Sequence, residues 1–368
     1  MKYSMFIGKW QPFHKGHKWL IEERLKLGKN VLIGIRDMAH DKKRYPKSPS
    51  DVKKQVFHLF PNEVNDGTID FIELPDIESI NYGRDVGYDI IEHTPPEEIK
   101  EISGTKIRKE MNLFETQFGY VMARCSQIAY LDGKEAKQEF KKLGFKRHRF
   151  FEKDGAQCHA TYNNDWLVIA FRGTEVKEWN DIKADLSVDS TTTIRAKGKV
   201  MVGFNTEVKK LWDDLIYYIN KMKKDRKIII TGHSLGGAMA TIFAANLQTS
   251  IWGDVYRLYT YGSPRVGNQT FCDNVNVEHF RFVNNSDDVT KIPFRHWGYR
   301  HHGNLNYINS NGSVQFKTTL WSRFVDRLKG RWYALTRDNI VFDGLADHSI
   351  EEYQSHLKSY VTSLEEKV

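Results

Sequence analysis

The stretch Gly232-His233-Ser234-Leu235-Gly236-Gly237 constrains this chain more than any other. It lies between the apolar run 227–231 (Lys-Ile-Ile-Ile-Thr) and the alanine-rich run 238–248. A Gly-x-Ser-x-Gly sequence with a strand before it and a helix after it is a sharp turn that lifts the serine hydroxyl clear of a sheet edge. The turn is strained, and glycines at 232 and 236 leave room for it. The helix start places the Leu235 N–H and the helix dipole where an oxyanion would develop. The residues therefore point to a parallel α/β sheet and a serine nucleophile.

A nucleophilic serine needs a base, and the base needs an orienting carboxylate. In this kind of fold the order is Ser, then Asp or Glu, then His. Asp287 and Asp288 follow the β-rich run 279–284, at a strand end from which such a group projects. The downstream histidines are His296, His301, His302, His348 and His356, and spacing does not choose among them.

These motifs resemble the class 3 (fungal-type) lipases of the α/β-hydrolase fold. The resemblance covers residues ~116–360 and rests on five elements in order. They are Phe171-Arg-Gly-Thr174, the Gly-His-Ser-Leu-Gly-Gly turn, Tyr261-Gly-Ser-Pro-Arg-Val-Gly-Asn268, Asp287-x-Val-x-x-x-Pro293 and Asp347-His348-Ser349. It implies Ser234 as nucleophile, His348 as base and Asp287 as the orienting acid, with Asp288 the competitor on register. It also implies Thr174 and the Leu235 N–H as oxyanion donors, and a structural role for His301-His302-Gly303. The implied reaction is carboxylic-ester hydrolysis, on an acylglycerol, a phospholipid or a short soluble ester, without cofactor.

Two segments have amphipathic spacing. In 175–186, Val176, Trp179, Ile182 and Leu186 share one face. Beside the oxyanion strand this resembles the family's lid, and its plain alternative is a fixed surface helix. In 321–332, Trp321, Phe324, Val325, Leu328 and Trp332 oppose Arg323, Arg327, Lys329 and Arg331. That pattern suits an anionic membrane surface, or a packed helix with a solvated basic face.

Ahead of this region lies a second α/β pattern. Strands are expected over 2–8, 30–36 and 68–72, and helices over 16–28, from an Asp51 cap to Phe60, and near 104–111. The division expected is 1–112 and 113–368. Residues 8–17 (Gly-Lys-Trp-Gln-Pro-Phe-His-Lys-Gly-His) join a strand to a helix start through a glycine-containing loop, a backbone anion site. His14 and His17, three apart, can face one point. With Ile102-Ser103-Gly104-Thr105-Lys106-Ile107-Arg108, this stretch resembles the HxGH nucleotidyltransferases, nicotinamide-mononucleotide adenylyltransferases above all, and in its shortness the stand-alone phage versions. The resemblance implies a nucleotide site of Gly8, Lys9, His14, Gly16, His17, Ser103, Thr105 and Arg108, holding ATP (or CTP) with Mg²⁺. The first part would then transfer AMP to a mononucleotide or act as a silent nucleotide sensor. No protein metal-ligand set stands out.

The 368 residues carry 55 Lys/Arg against 47 Asp/Glu, a net charge of +8. Residues 1–112 hold 19 against 18, so the basicity belongs to the second part. No basic stripe or recognition motif marks a nucleic-acid binder. Three cysteines (Cys125, Cys158, Cys272) without a CxxC pair encode no disulfide framework. With no leader-like or membrane-spanning run at hand, the expectation is a cytoplasmic protein with, at most, peripheral membrane contact.

Overall fold

The computed structural model describes residues 2–38, 45, 47–79, 81, 89–100, 102, 104–174, 189–251, 253–315, 318–319, 322–323, 326 and 347–366, without the side chains of 105, 106 and 108. The chain divides into two compact units, Met1–Leu113 with Val368, and Phe114–Lys367.

The first unit holds strands β1 (Tyr3–Gly8), β2 (Asn30–Arg36) and β3 (Ile69–Leu74), all parallel and in that spatial order. Helix α1 (Lys15–Leu25) connects β1 to β2; α2 (Pro49–Leu59) and the short α3 (Pro61–Asn65) connect β2 to β3. Successive right-handed crossovers that step the same way put their helices on one face. The core agrees: Ile21, Val52 and Val56 pack with Trp10, Val31, Ile33, Ile35 and Ile69. Ser48, not Asp51, caps α2. The Ser48 hydroxyl accepts from the Asp51 N–H while the Asp51 carboxylate accepts from the Ser48 N–H, with Pro49 at the first helical position. After α4 (Glu97–Lys100) comes α5 (Gly104–Ile128). The helix expected near 104–111 is thus the start of a 25-residue helix. No proline falls within it, and the apolar spacing that resumes at Phe118 continues the same element.

The second unit adds α6 (Gly133–Lys142), β4 (Arg147–Lys153), β5 (Ala156–Tyr162), β6 (Trp166–Phe171), a small ladder of β7 (Ser190–Thr192) with β8 (Lys199–Met201), and α7 (Val202–Met222). It continues with β9 (Lys227–His233), α8 (Leu235–Gln248), β10 (Val255–Tyr261), α9 (Gln269–Asn274), β11 (His279–Asn284), β12 (Asn304–Ile308), β13 (Val314–Gln315) and α10 (Ile350–Glu365). Eight strands form one sheet in the order β13-β12-β11-β10-β9-β6-β5-β4. Strands β6, β9, β10, β11 and β12 are parallel; β4, β5 and β13 pair antiparallel at the edges.

Both faces of the central strands are buried, which is why they read as unbroken apolar runs. Leu167, Ile169, Phe171, Ile228 and Ile230 point to the face covered by α7, α8 and α9. Val168, Ala170 and Ile229 point to the opposite face, covered by α5, α6 and α10. The period of two divides one strand between two cores. The serine turn after β9 therefore follows a strand buried on both faces.

Candidate functional site

Ser234 adopts φ 56° and ψ −128°, left-handed backbone that a non-glycine residue rarely takes. Its N–H donates to the Tyr261 carbonyl at 3.0 Å, which ties the turn to the end of β10. A Cβ at Gly232 would lie 2.2 Å from the Gly236 carbonyl oxygen, and one at Gly236 would lie 2.3 Å from that of Phe171. The two glycines let three backbone segments touch.

Asp287 lies in the loop after β11, and His348 in the turn before the Ser349 cap of α10. The structure brings these two residues to Ser234. His348 Nε2 is 2.8 Å from Ser234 Oγ, and His348 Nδ1 is 3.1 and 3.0 Å from the two Asp287 carboxylate oxygens. Asp288, the competitor, turns to solvent and pairs with Lys291. The Asp287 carboxylate also accepts from the Val289 N–H (2.9 Å) and the Tyr353 hydroxyl (2.7 Å). Burial, reinforced by Asp287, raises the Tyr353 phenol well above its ordinary pKa, so it remains a donor. Gly262, at φ +57°, passes so close that a Cβ would sit 2.8 Å from both Asp287 Oδ2 and His348 Nδ1.

A second histidine braces the first. Tyr130 OH is 2.8 Å from His233 Nδ1, and His233 Nε2 is 2.6 Å from the His348 carbonyl oxygen. Burial and the nearby His348 hold His233 well below the ordinary imidazole pKa. A neutral ring with its proton on Nε2 meets both partners: it donates to the His348 carbonyl and accepts the Tyr130 proton. On the acid side, the Ser286 N–H donates to the Asp347 carboxylate at 2.8 Å, joining the loops that carry Asp287 and His348. Tyr130, Tyr353, His233 and Gly262 were not among the sequence candidates. The signals visible in sequence were the histidine beside the serine and the glycine after Tyr261.

Thr174 lies three residues past the end of β6 and, with Leu235, lines a cavity of about 260 Å³. Arg172, Gly173, Gln157, Glu207 and Met239 also border it. Leu235 is the first residue of α8, so its N–H has no intrahelical acceptor. His301 Nε2 is 2.8 Å from the Thr290 carbonyl oxygen, and His302 Nδ1 is 3.1 Å from His279 Nδ1, so neither ring contacts the serine. The lid-like segment 175–186 lies outside the described residues. So does 321–332 apart from Ser322, Arg323 and Asp326, which leaves its two faces undescribed.

In the first unit, Gly8 ends β1, and His14 is the N-cap of α1. The His14 and His17 rings stack with centroids 3.7 Å apart, and the His14 N–H meets His17 Nδ1 at 3.4 Å. Burial, then His14, lowers the His17 pKa to about 3, so this ring is neutral. A Cβ on Gly16 would come 3.1 Å from the His14 ring. The Lys9 ammonium contacts the Tyr45 hydroxyl at 3.0 Å. Ser103 and the side chains of Thr105 and Arg108 lie outside the described residues.

A family model described as Lipase (class 3) matches residues 168–297. This stretch runs from β6 through the serine turn to the loop after Asp287. The second unit carries a class 3 lipase match. Among curated relatives, secreted mono- and diacylglycerol lipase A of Penicillium cyclopium is 30% identical over 165 residues, 43% of this chain and 53% of the relative. Secreted mono- and diacylglycerol lipase LIP1 of Malassezia globosa is 32% identical over 126 residues, 32% of this chain and 41% of the relative. Toxin TseL of Vibrio cholerae is 31% identical over 186 residues, covering 40% of this chain and 29% of the toxin. The chain spans about half or less of the length of these relatives. The solved Rhizomucor miehei triacylglyceride lipase superposes with a TM-score of 0.51 at 20% identity, over 65% of this chain and 93% of that one, a likeness of fold.

The curated relatives correct one expectation. The fungal lipases that match are named as secreted, which overturns the cytoplasmic placement. The family model and the relatives named above lend no support to the nucleotidyltransferase, its ATP or CTP, or its Mg²⁺.

Proposed function

We propose that the second unit hydrolyses carboxylic esters of acylglycerols or phospholipids through an acyl-enzyme. The observation that carries this reading is the continuous contact from Ser234 Oγ to His348 Nε2 and from His348 Nδ1 to Asp287, at 2.8 and 3.0 Å. His348 accepts the Ser234 proton as Oγ attacks the ester carbonyl carbon. The Asp287 carboxylate accepts from Nδ1–H and stabilises the imidazolium. Thr174 and the Leu235 N–H donate to the carbonyl oxygen as it gains charge. Collapse expels the alcohol, which takes the proton from His348. Water, deprotonated by His348, then releases the acid and restores Ser234. No step calls for a cofactor.

The test is hydrolysis of a p-nitrophenyl ester series, short to long chain, beside a diacylglycerol and a phospholipid, by the full chain and by Ser234→Ala. The expected result is release of carboxylic acid by the wild type, with kcat lowered about 10⁴-fold or more in the variant. Equal rates for the two proteins would refute the reading. Preference for the shortest soluble ester would narrow it to an esterase.

A further inference from the structure

Beyond the acid loop, the chain forms an exposed knuckle. Phe294, Arg295, His296, Trp297 and Gly298 are all exposed, Phe294 by 45% and Trp297 by 47%. The knuckle is a single 3₁₀ turn, Arg295–Trp297, closed by Gly298 at φ 88°. Its three rings pack against one another. Phe294 and His296 stack with centroids 5.5 Å apart, and Trp297 stands edge-on to both at 4.9 and 5.3 Å. Large apolar rings gathered on a tip and left to water need a reason.

The base of the knuckle is firmly held. Pro293 and Tyr299, on either side, are buried. The Arg265 guanidinium donates to the carbonyls of Lys291 and Pro293, and the Arg300 N–H donates to the Gly267 carbonyl at 2.7 Å. The tip is therefore a fixed projection on the body of the sheet.

The stretch of sequence that carries the knuckle has charges of one sign. No Asp or Glu occurs between Asp288 and Asp326, whereas Lys291, Arg295, Arg300, Lys317 and Arg323 do. Among the described residues neither Arg295 nor Arg300 pairs with a carboxylate; Arg300 is held by the carbonyls of Arg295 and Tyr299. The mutual repulsion registers on Arg265, whose pKa is lowered by burial and then by Arg295 and Arg300.

Position supplies the last element. Thr174, Ser234 and Asp287 follow β6, β9 and β11, so they share the C-terminal edge of the parallel strands. The knuckle starts seven residues after Asp287 in the same loop. Exposed Phe and Trp with flanking arginines are the chemistry that inserts at the headgroup boundary of an anionic lipid surface. No helix among the described residues is long and apolar enough to cross a membrane.

We propose that the knuckle 294–298, with Arg295 and Arg300, docks this chain on an anionic phospholipid bilayer and so turns the Ser234 edge of the sheet towards the lipid. Docking itself does not depend on the ester-hydrolase reading; its benefit to the reaction does.

The experiment is co-sedimentation of full-length Ser234→Ala protein with phosphatidylcholine vesicles, with and without phosphatidylglycerol. The phosphatidylglycerol vesicles should bind more protein, and salt should weaken that binding. Phe294→Ser with Trp297→Ser should lower the partition constant at least about ten-fold on those vesicles. Arg295→Gln, at an exposed position, should lower it about five-fold on those vesicles alone. In the Ser234 background, the same substitutions should leave hydrolysis of a soluble short-chain ester unchanged. Unchanged partition in the aromatic variant would overturn the proposal. So would equal binding to pure phosphatidylcholine at low and high salt. If the wild type hydrolyses no soluble ester, the hydrolase reading fails while the vesicle result still decides the docking.

Discussion

Asp287→Asn should lower kcat for ester hydrolysis by about ten-thousand-fold, with the protein still folded. The reason lies in the donors that converge on this carboxylate. The Val289 N–H reaches one oxygen, the Tyr353 hydroxyl the other, and His348 Nδ1 lies within 3.1 Å of both. A carboxylate only accepts, so all three are satisfied. An asparagine offers one acceptor and one NH₂. Whichever way it turns, its NH₂ faces a donor, and His348 is pushed towards the tautomer with a bare Nδ1. Nε2 would then carry the proton and could not take one from Ser234. Far-ultraviolet circular dichroism beside stopped-flow hydrolysis of a p-nitrophenyl ester separates this from unfolding. A loss below ten-fold would remove Asp287 from the role proposed for it.

Gly236→Val should cost about 3 kcal/mol or more and abolish hydrolysis. The Cβ would sit 2.3 Å from the Phe171 carbonyl oxygen and 2.9 Å from the Gly173 nitrogen. Both are backbone atoms of the buried end of β6 and the loop that leads to Thr174. No rotamer relieves such a clash, so either the turn opens or the β6 loop moves. Either movement separates the Leu235 N–H from Thr174. For a unit of this size the loss corresponds to a fall of roughly 6–12 °C in its melting temperature. Unaltered melting would show that the backbone contact through Gly236 is softer than the structure implies.

The parts of the site that could be read from sequence are those fixed by short-range chain geometry. A serine between glycines, a strand before and a helix after suffice to specify the strained turn, and Ser234 takes φ 56°. The apolar runs at 166–171 and 227–231 announce strands buried on both faces. Register was the weaker guide: Asp287 and Asp288 are adjacent, and only the course of the loop after β11 sends one to His348 and the other to Lys291. The braces were not legible because they join distant segments. Tyr130 meets His233 across 103 residues, and Tyr353 meets Asp287 across 66. Local pattern carries no record of such contacts. In the first unit the glycine turn and the His14–His17 pair were readable, whereas the burial that keeps His17 neutral was not. The cap of α2 was misplaced by three residues because Ser48 and Asp51 bond reciprocally, so either residue type signals the same helix start.

The central claim is that Ser234 is the nucleophile, and trapping the covalent enzyme tests it most directly. Wild type and Ser234→Ala would each be incubated with a p-nitrophenyl alkylphosphonate, a phosphorus ester that traps the attacking oxygen, and digested for mass spectrometry. The account predicts one phosphonyl group per wild-type chain, on the peptide containing Ser234, with release of p-nitrophenol and none of this in the variant. A label on another residue, or equal labelling of both proteins, would contradict it.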